Sequence, residues 1–472
     1  ANLYLYSRVL PQWQATRCAS AFCFRRSLSS TAGLNSDDVD VAIVGGGPVG
    51  LAIACSLASG GDGNVATSSS SRKLRVRLLE AGKLPSSQPA AAAAAPDGSF
   101  SNRAVALSPS TVAHLRRLGA WNDADPRIAP VRGMRVVESD SDAALTFDAA
   151  QIGGDVSGEG ALAYVTELAP VVSRLVGQAA KAGAQLRDGC RLESIDGDNS
   201  FDRQPFLHLR LTNKSSLRTR LLIGCDGFSS PVRKLAGIEA VDVPYPRHKA
   251  MVATLEIDGP DGLNGEAFQR FLPDGPIALL PLPGRFASLV WCSKSDRISH
   301  LIKTSDREFL ADLNRCLATG PAPAAPLVTA VQADSRASFP LGFMHANRYA
   351  SGRIVLAGDA AHRLSPLAGQ GMNLGMEDAA CLSRLLLEAA SNGADPADPA
   401  YLLDYETQRQ RQVVPVAIVN ETLGWLYSLP PDSWLTAPLR WARTTGFRLT
   451  NTFSPAKEFL RRSATTGRID LL

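Results

Sequence analysis

Short apolar runs bounded by glycines and polar residues alternate along the chain with segments of helical periodicity. The first run, residues 39–44 (VDVAIV), is rich in β-branched residues and predicts a buried parallel strand, and residues 51–58 predict the following helix. Residues 164–181 predict another helix. Apolar or alternating runs predict further strands at 74–79, 220–223, 249–257, 267–272, 276–282, 288–291 and 353–357. This order of elements predicts an α/β fold.

The strand at 39–44 runs directly into the glycine-rich sequence Gly45-Gly46-Gly47-Pro48-Val49-Gly50. Gly45 permits a tight turn, Gly47 lets the backbone approach a pyrophosphate, and Gly50 lets helix and strand pack closely. The N-terminus of the following helix offers free N–H groups and the positive end of its dipole to phosphates. This pattern predicts a dinucleotide site for NAD or FAD, and a glycine-rich turn without ligand is the alternative.

An acidic residue, Glu80, ends the next predicted strand, where it would accept hydrogen bonds from the adenosine ribose. It follows Gly45 by 35 positions (80 − 45), whereas about 20 is usual. The polar segment 60–73 explains the excess as a surface insertion. An acid here favours an unphosphorylated ribose and therefore FAD or NAD, and a solvated glutamate at a strand end is the alternative.

Two later motifs also follow predicted strands. Asp226-Gly227 comes after residues 220–223, and its carboxylate would accept from ribityl or ribose hydroxyls while Ser230 or Arg233 anchors the turn. Alone, this motif is more often only a turn. Gly358-Asp359 comes after residues 353–357, and Asp359 is a candidate partner of the flavin ribityl chain.

Beyond Pro366, the small residues of a predicted helix N-terminus would face the N1 and O2 atoms of a flavin and stabilise its reduced, anionic form. Plain helix packing is the alternative. This segment reads Gly369-Gln370-Gly371-Met372-Asn373.

Composition sets wider bounds. The chain has 472 residues, 45% of them hydrophobic, which is enough for two or three cores. A net charge of +4 is too small to indicate nucleic acid binding. The eight cysteines include no CxxC pair and the six histidines show no ligand spacing, so neither a metal site nor a disulfide framework is predicted.

Both ends of the chain are basic. Residues 1–36 contain arginines and serines but no acid, which indicates a mitochondrial presequence, and a disordered tail is the alternative. Between 433 and 467, arginines, lysine and tryptophans stand against the single acid Glu458. This segment predicts either contact with an anionic membrane surface or a charged helix packed on the FAD-binding domain.

The order of the three glycine and aspartate motifs resembles the para-hydroxybenzoate hydroxylase-like, single-component flavin monooxygenases. Within that class, the chain is most similar to the ubiquinone-biosynthesis hydroxylases, over about residues 37–455, and especially to the mitochondrial enzymes that act on ring carbon C5. The resemblance rests on residues 118–121, 271–282, 288–291, 358–362 and 366–375, with Asp378, Tyr405, Glu406, Arg409 and Arg411. Two positions depart from the pattern: Ser365 stands where histidine is usual, and Cys225 where alanine is usual.

The resemblance implies a Rossmann-like FAD-binding domain interleaved with a mixed-sheet substrate domain, followed by C-terminal helices. It implies FAD as cofactor, Arg103 beside the flavin, and ring hydroxylation of a polyprenyl phenol by O₂ through a flavin C4a-hydroperoxide. Phe271, Leu280 and Pro281 are candidate substrate-pocket residues, with ordinary core packing as the alternative. No side chain is an evident general base, so no catalytic acid or base is assigned.

The expected partners follow from the same resemblance. With no second glycine motif for a nicotinamide domain, electrons are expected from a ferredoxin and its reductase, and NADPH is the alternative. Other ubiquinone-biosynthesis proteins and peripheral contact with the matrix side of the inner membrane are expected. The competing hypotheses are a soluble hydroxylase of small phenols, a non-catalytic flavin-binding subunit of a lipid-synthesis complex, and an NAD dehydrogenase.

The expected division of the chain has seven parts: presequence 1–36, first FAD-binding part 37–120, mixed segments 121–220, a second FAD-binding part 221–245, substrate-domain sheet 246–340, third FAD-binding part 341–430 and basic segment 431–472.

Overall fold

The computed structural model describes residues 38–60, 73–87, 99–151, 160–197, 199–323, 325–366, 369–429 and 436–452. The predicted presequence and most of the polar insertion at 60–73 lie outside these residues. The same holds for Lys457, Glu458, Arg461 and Arg462 of the basic C-terminal segment.

The strands in the described part of the chain are β1 Val39–Val44, β2 Val76–Leu79, β3 Ala104–Leu107, β4 Ala129–Val131, β5 Gly133–Glu138, β6 Ala144–Asp148, β7 Ala163–Glu167, β8 Gln185–Arg187, β9 Leu192–Asp196, β10 Leu207–Leu211, β11 Ser216–Gly224, β12 Ala240–Ile257, β13 Glu266–Leu272, β14 Gly275–Pro281, β15 Phe286–Lys294, β16 Val328–Val331, β17 Ala337–Ala346, β18 Ala350–Ser351, β19 Ile354–Leu356 and β20 His362–Arg363. The helices are α1 Pro48–Ser59, α2 Pro109–Arg117, α3 Leu168–Ala182, α4 Pro231–Leu235, α5 Ser295–Lys303, α6 Asp306–Leu317, α7 Gly371–Ser391, α8 Pro399–Tyr427 and α9 Ala437–Thr452.

The first sheet has the strand order β18-β19-β11-β1-β2-β8, with β10 and β9 continuing antiparallel from β11. Strand β1 is parallel to both β11 and β2, and β19 is parallel to β11. Every residue of β1 is buried, as its β-branched run predicts, because helices cover a parallel sheet. The carboxyl ends of β1, β2, β11 and β19 therefore meet at one edge.

The second sheet has the order β20-β17-β12-β15-β14-β13-β5-β6, and β16 pairs with β12. It is mixed, because β13 and β5 are parallel whereas β12, β14, β15 and β17 pair antiparallel. One face packs against α5 and α6, where Trp291 and Phe309 are fully buried. A smaller sheet has the order β3-β7-β4. In the sequence, β3 and β4 precede β5 and β6 of the second sheet, and β7 follows them. The α/β fold with a mixed second sheet is confirmed.

One predicted element was wrong at its start. The helix expected at 164–181 begins only at Leu168, because residues 163–167 form β7 and pair with both β3 and β4. The run Tyr164-Val165-Thr166 is aromatic and β-branched, and this local preference for strand, together with two available neighbours, prevails over the helical pattern. The strand expected at 353–357 is also shorter, covering Ile354–Leu356.

The last two helices of the described chain contact both large sheets. Helix α8 runs for 29 residues, packs on α7 and contacts β18 of the first sheet, and α9 lies against β6 of the second. No helix among the described residues is both long enough and apolar enough to cross a lipid bilayer.

Candidate active site

The glycine and acid motifs that are far apart in the sequence meet at the carboxyl edge of the first sheet. Val44 pairs with Leu79 on one side and with Gly224 on the other, and Gly224 pairs with Leu356. Each of these four residues is at or next to the end of its strand. The segments that follow them, beginning at Gly45, Glu80, Cys225 and Ala357, are therefore neighbours, and ligands of open α/β sheets bind at this edge.

The glycine loop after β1 leaves open space at Gly47 and is tight at its other glycines. Gly45 has a φ of +112°, and a Cβ there would lie 2.2 Å from the carbonyl O of Cys225. A Cβ at Gly50 would lie 2.1 Å from the carbonyl O of Gly45. By contrast, a Cβ at Gly47 would meet no heavy atom within 4 Å. Gly47 is also the N-cap of α1, so this open space faces free N–H groups and suits a pyrophosphate.

Glu80 closes the loop from the neighbouring strand. Its Oε2 accepts a hydrogen bond of 2.6 Å from the Gly46 N–H, and its Oε1 accepts one of 2.7 Å from the Gly82 N–H. Each carboxylate oxygen has further acceptor capacity. The carboxylate thus holds the glycine loop, and its contact with a ribose remains a prediction.

The Asp226 turn and the Asp359 turn are joined by Arg233. Asp226 accepts from the Ser230 hydroxyl at 2.5 Å and from the Val232 N–H at 2.9 Å. Arg233 donates to the carbonyl O of Phe228 at 2.7 Å and to that of Ala360 at 2.8 Å. The anchoring of the turn by Ser230 and Arg233 is as predicted. Both oxygens of Asp226 serve this turn, and a further contact with FAD hydroxyls remains a prediction.

Asp359 is exposed, and no donor among the described residues hydrogen-bonds to its carboxylate. Desolvation raises the pKa of Asp359, while the nearby charges of His362 and Arg363 act in the opposite direction. An exposed carboxylate without a hydrogen-bond donor is available to hydroxyl donors of a ligand.

A buried polar network holds the Asp359 turn from below. Asp378 accepts from the Gly358 N–H at 2.8 Å, from Nε of Arg409 at 2.6 Å, and lies 2.6 Å from Nε2 of His362. Burial opposes ionisation, but His362 and Arg409 outweigh it and lower the pKa of Asp378 to about 2. Sequence reasoning had named Asp378 and Arg409 only as parts of a family pattern, since nothing in their spacing reveals that they share one contact.

The N-terminus of α7 also suits a flavin. A Cβ at Gly369 or Gly371 would meet nothing within 4 Å, and Oε1 of Gln370 is buried without a partner among the described residues. No acid lies in the first turn. Asn373 fixes this end to the small sheet, donating to the carbonyl O of Ala106 at 3.1 Å and accepting from the Ser108 N–H at 2.9 Å. Met372 is half-buried beside it.

Arg103 lies at the start of β3, the strand that Asn373 contacts. Its carbonyl O accepts from the Leu168 N–H at 3.0 Å, and its side chain is exposed. A place beside the flavin remains a prediction for this arginine.

The three candidate substrate residues do not lie together in the structure. Phe271 and Leu280 share one face of the second sheet, whereas strand alternation places Pro281 on the other. Phe271 stacks on Tyr427 with ring centroids 3.9 Å apart, and Leu280 packs in the cluster that contains Phe100. Between their rows, Val252, Ala278 and Val290 form a cross-strand row whose members are only half-buried. A role of Phe271, Leu280 and Pro281 in substrate binding remains a prediction.

The basic residues of α9 form ion pairs that the sequence did not reveal. Arg443 contacts Glu138 at 3.1 Å, Arg440 contacts Asp140 at 2.8 Å, and Arg448 contacts Asp142. Arg448 nevertheless stays largely exposed. The helix packs on β6 of the second sheet and also contacts α8. Contact of the basic segment with a membrane remains a prediction.

The open space at Gly47, the unpartnered carboxylate of Asp359 and the unpartnered Gln370 at the α7 N-terminus together fit the pyrophosphate, ribityl chain and ring of FAD. A family model described as "FAD binding domain" matches residues 38–420. The ubiquinone biosynthesis monooxygenase COQ6, mitochondrial, of Xenopus tropicalis is 34% identical, and the match covers 92% of this chain and 94% of that protein.

Further comparisons agree. The ubiquinone hydroxylase UbiL of Rhodospirillum rubrum is 31% identical, with 90% of this chain and 89% of that protein covered. The solved structure of the p-nitrophenol 4-monooxygenase PnpA from Pseudomonas putida shares the fold, with a TM-score of 0.65, 21% identity, and 91% and 98% of the two chains covered. The fold and site define an FAD-dependent monooxygenase. The chain belongs to the ubiquinone-biosynthesis flavin monooxygenase family.

Proposed function

We propose that this enzyme hydroxylates ring carbon C5 of a polyprenyl phenol or hydroxybenzoate intermediate of ubiquinone biosynthesis. The observation that carries the proposal is the half-buried apolar row Val252–Val290–Ala278 in the middle of the second sheet. An antiparallel sheet can leave one face open, and polar residues are usual on such a face, so an apolar row there favours a binding place for an apolar ligand. The names of the relatives support a ubiquinone precursor as that ligand.

The second sheet reaches the FAD segments directly. Strand β20 begins three residues after Asp359 and pairs with β17, which in turn pairs with β12. A ring on the apolar row is thus held by a sheet that continues into the Asp359 turn. When bound, FAD supplies the activation of O₂. The chain's own residues bind the ring, orient it and exclude water.

The electrons are proposed to come from a ferredoxin and its reductase. The described residues contain one sheet with parallel central strands and one glycine loop, which the FAD pyrophosphate would occupy, so a second dinucleotide site is not evident among them. Stopped-flow reduction separates the two sources. Fast bleaching of the flavin by ferredoxin with its reductase, and slow bleaching by NADPH, is the expected result; fast substrate-dependent bleaching by NADPH alone contradicts it.

The protein is proposed to act in mitochondria, peripherally on the matrix side of the inner membrane. Support for the compartment comes from the acid-free segment 1–36 and from the relatives named as mitochondrial. Support for membrane contact comes from apolar side chains. Trp441 and Leu449 on the outer side of α9 are 70% and 61% exposed, and Trp425 on α8 is 39% exposed.

Lipid analysis of cells that lack this protein tests the substrate and the reaction together. The expected result is accumulation of a polyprenyl phenol without the C5 oxygen, which reintroduction of the intact chain reverses. An unchanged ubiquinone pool, combined with turnover of small soluble phenols by the purified enzyme, would instead establish a soluble aromatic hydroxylase.

A further inference from the structure

Two polar side chains meet in apolar surroundings between the second sheet and α8. The hydroxyl of Tyr245, on β12, donates a hydrogen bond to Oε2 of Glu421, on α8. Glu421 lies on the same side of the helix as Ala417, one turn earlier, which packs on Phe343 of β17. The second carboxylate oxygen, Oε1, is buried and has no hydrogen-bond partner among the described residues.

The surroundings leave this carboxylate poorly solvated. Apolar side chains pack around Tyr245 from the strands and from the loop before Pro366, namely Val241, Val243, Ala250, Val290, Leu341, Phe343, Leu364 and Ala417. The titratable groups in these clusters are Tyr245 itself and Cys292. Burial raises the pKa of both, that of Cys292 to about 12, so both are neutral. No cation of the described chain forms an ion pair with Glu421. Burial raises the pKa of Glu421, while the Tyr245 hydroxyl and the nearby Asn420 side chain lower it.

The pair lies where the apolar row meets the flavin segments. Val290 belongs to the row and packs in the same cluster as Tyr245. On the other side, Asn420 donates to the carbonyl O of Ser365 at 3.1 Å, and Ser365 precedes the loop that leads to the N-terminus of α7. A ring on the row therefore has Glu421 beside it.

A buried acceptor without a partner is costly, so the unpaired carboxylate oxygen beside the apolar row calls for a hydrogen-bond donor from the ligand. A phenol brings one such donor, its hydroxyl. We propose that Oε1 of Glu421 accepts the hydrogen bond of the substrate's ring hydroxyl and takes its proton during hydroxylation, with Tyr245 as a positioning residue. This inference rests on the proposed function, because it requires a phenolic substrate.

The proton transfer balances. The ring O–H bond breaks, its proton goes to Oε1 of Glu421, and the electron pair stays on the ring oxygen and spreads to the adjacent ring carbon. One negative charge moves from carboxylate to phenolate, so the net charge is unchanged. That carbon takes up one oxygen atom of O₂, for whose reduction reduced FAD would supply two electrons. The second oxygen atom leaves as water and takes up the proton that the carbon loses when the ring becomes aromatic again. Glu421 then returns its proton to the ring oxygen. A raised carboxyl pKa makes the carboxylate a stronger base for this task.

The test is single-turnover hydroxylation of a short-tailed prenylphenol by enzyme whose flavin has been reduced with dithionite and then mixed with O₂. This design needs no protein reductant. Glu421→Gln is expected to keep its FAD and to slow product formation about 100-fold or more at neutral pH. The deficit should shrink as the pH approaches about 10, where a phenol ionises by itself. The exposed carboxylate of Asp404, on the same helix, provides the matched control Asp404→Asn, expected to behave like wild type.

Tyr245→Phe gives an independent measurement. Its hydroxyl lowers the pKa of Glu421, so removing it should move the acidic limb of the pH–rate profile to higher pH, which a purely structural role would not do. Unchanged rates and pH profile in Glu421→Gln, or an unmoved acidic limb in Tyr245→Phe with full FAD content, would overturn the assignment. If Glu421→Gln loses FAD, its slow product formation is not informative. The position of the acidic limb in the pH–rate profile of Tyr245→Phe then decides whether Glu421 is the base. A wild-type enzyme that hydroxylates no phenol would instead reject the proposed function itself.

Discussion

The guanidinium Nε of Arg443 lies 3.1 Å from Oε1 of Glu138, where the last described helix meets the edge of the second sheet. Glu138 is completely buried and also accepts hydrogen bonds from the Tyr427 hydroxyl at 2.7 Å and the Thr444 hydroxyl at 2.9 Å. A carboxylate in this position depends on its cation, because an uncompensated buried charge is costly. The contact therefore fixes α9 over the end of the sheet that carries Phe271.

Arg443→Gln should destabilise the protein by about 3 kcal/mol, because it leaves Glu138 buried without its cation. Arg448→Gln is the matched control: its ion pair with Asp142 is exposed, with side chains 58% and 67% accessible, so its loss should leave the unfolding free energy nearly unchanged. Urea unfolding followed by tryptophan fluorescence measures both. Equal effects of the two substitutions would contradict a special role for the buried contact.

Asp359→Ala should weaken FAD binding. Loss of a charge-assisted hydrogen bond to a ribityl hydroxyl costs about 1.5–3 kcal/mol, so FAD occupancy at limiting cofactor should fall roughly ten-fold or more. Flavin absorbance of the purified protein after dilution gives the occupancy. Asp404→Ala, at an exposed position of α8, should retain its flavin. Equal retention by both variants would remove Asp359 from the FAD site.

Two neighbouring glycines should fail in different ways. Gly45→Ala puts a methyl group 2.2 Å from a backbone oxygen at a φ of +112°, so the protein should not fold stably. Gly47→Ala puts its methyl group into open space, so the protein should fold but bind FAD poorly. Thermal unfolding and flavin content, measured together, separate the outcomes. Normal FAD content in Gly47→Ala would show that the open space does not hold the pyrophosphate.

We expect the folded protein to lose stability in mild acid because of His345. Burial lowers its pKa from 6.5 to about 3, and Nε2 lies 3.0 Å from the Tyr349 hydroxyl. Between those two values the unfolded chain binds a proton that the folded chain does not, so stability falls as the pH decreases from about 6.5 towards 3. From pH 7 to pH 5 this group should account for about 2 kcal/mol.

His345→Gln, which can still accept from Tyr349, should lose this share of the pH dependence, whereas the exposed His208→Gln should keep it. Unfolding free energies at the two pH values provide the comparison. The same acid dependence in His345→Gln as in wild type would assign the effect to other groups.

Membrane binding should depend on apolar side chains more than on charge. Replacing both Trp441 and Leu449 with serine removes two exposed groups whose burial is worth roughly 1.5–3 kcal/mol each, so binding to cardiolipin-containing vesicles should fall ten-fold or more. Leu327→Ser, at a residue that is 55% exposed elsewhere, is the control. Vesicle binding that is unchanged in the double variant, or that is abolished by salt alone, would contradict an apolar contact.

The sequence by itself determined the FAD-binding half of this protein. Strand β1, the glycine loop and helix α1 are read from adjacent residues, because a tight turn, a close phosphate approach and a helix N-terminus are local requirements. The Asp226 and Asp359 turns were recognisable for the same reason, since each directly follows an apolar strand.

Only the tertiary structure decided which distant side chains act together. Arg233 reaches Ala360, Arg409 reaches Asp378, and Tyr245 reaches Glu421, across 127, 31 and 176 positions. None of these pairs has a spacing that a periodic pattern could reveal, because the order of strands and the path of α8 bring them into contact. The same cause explains two features that the sequence did not reveal. Tyr164 to Glu167 became a strand because two partners flank it, and the arginines of α9 found acids on β5 and its turn. Contacts of this kind depend on how the elements pack, and local sequence carries no record of it.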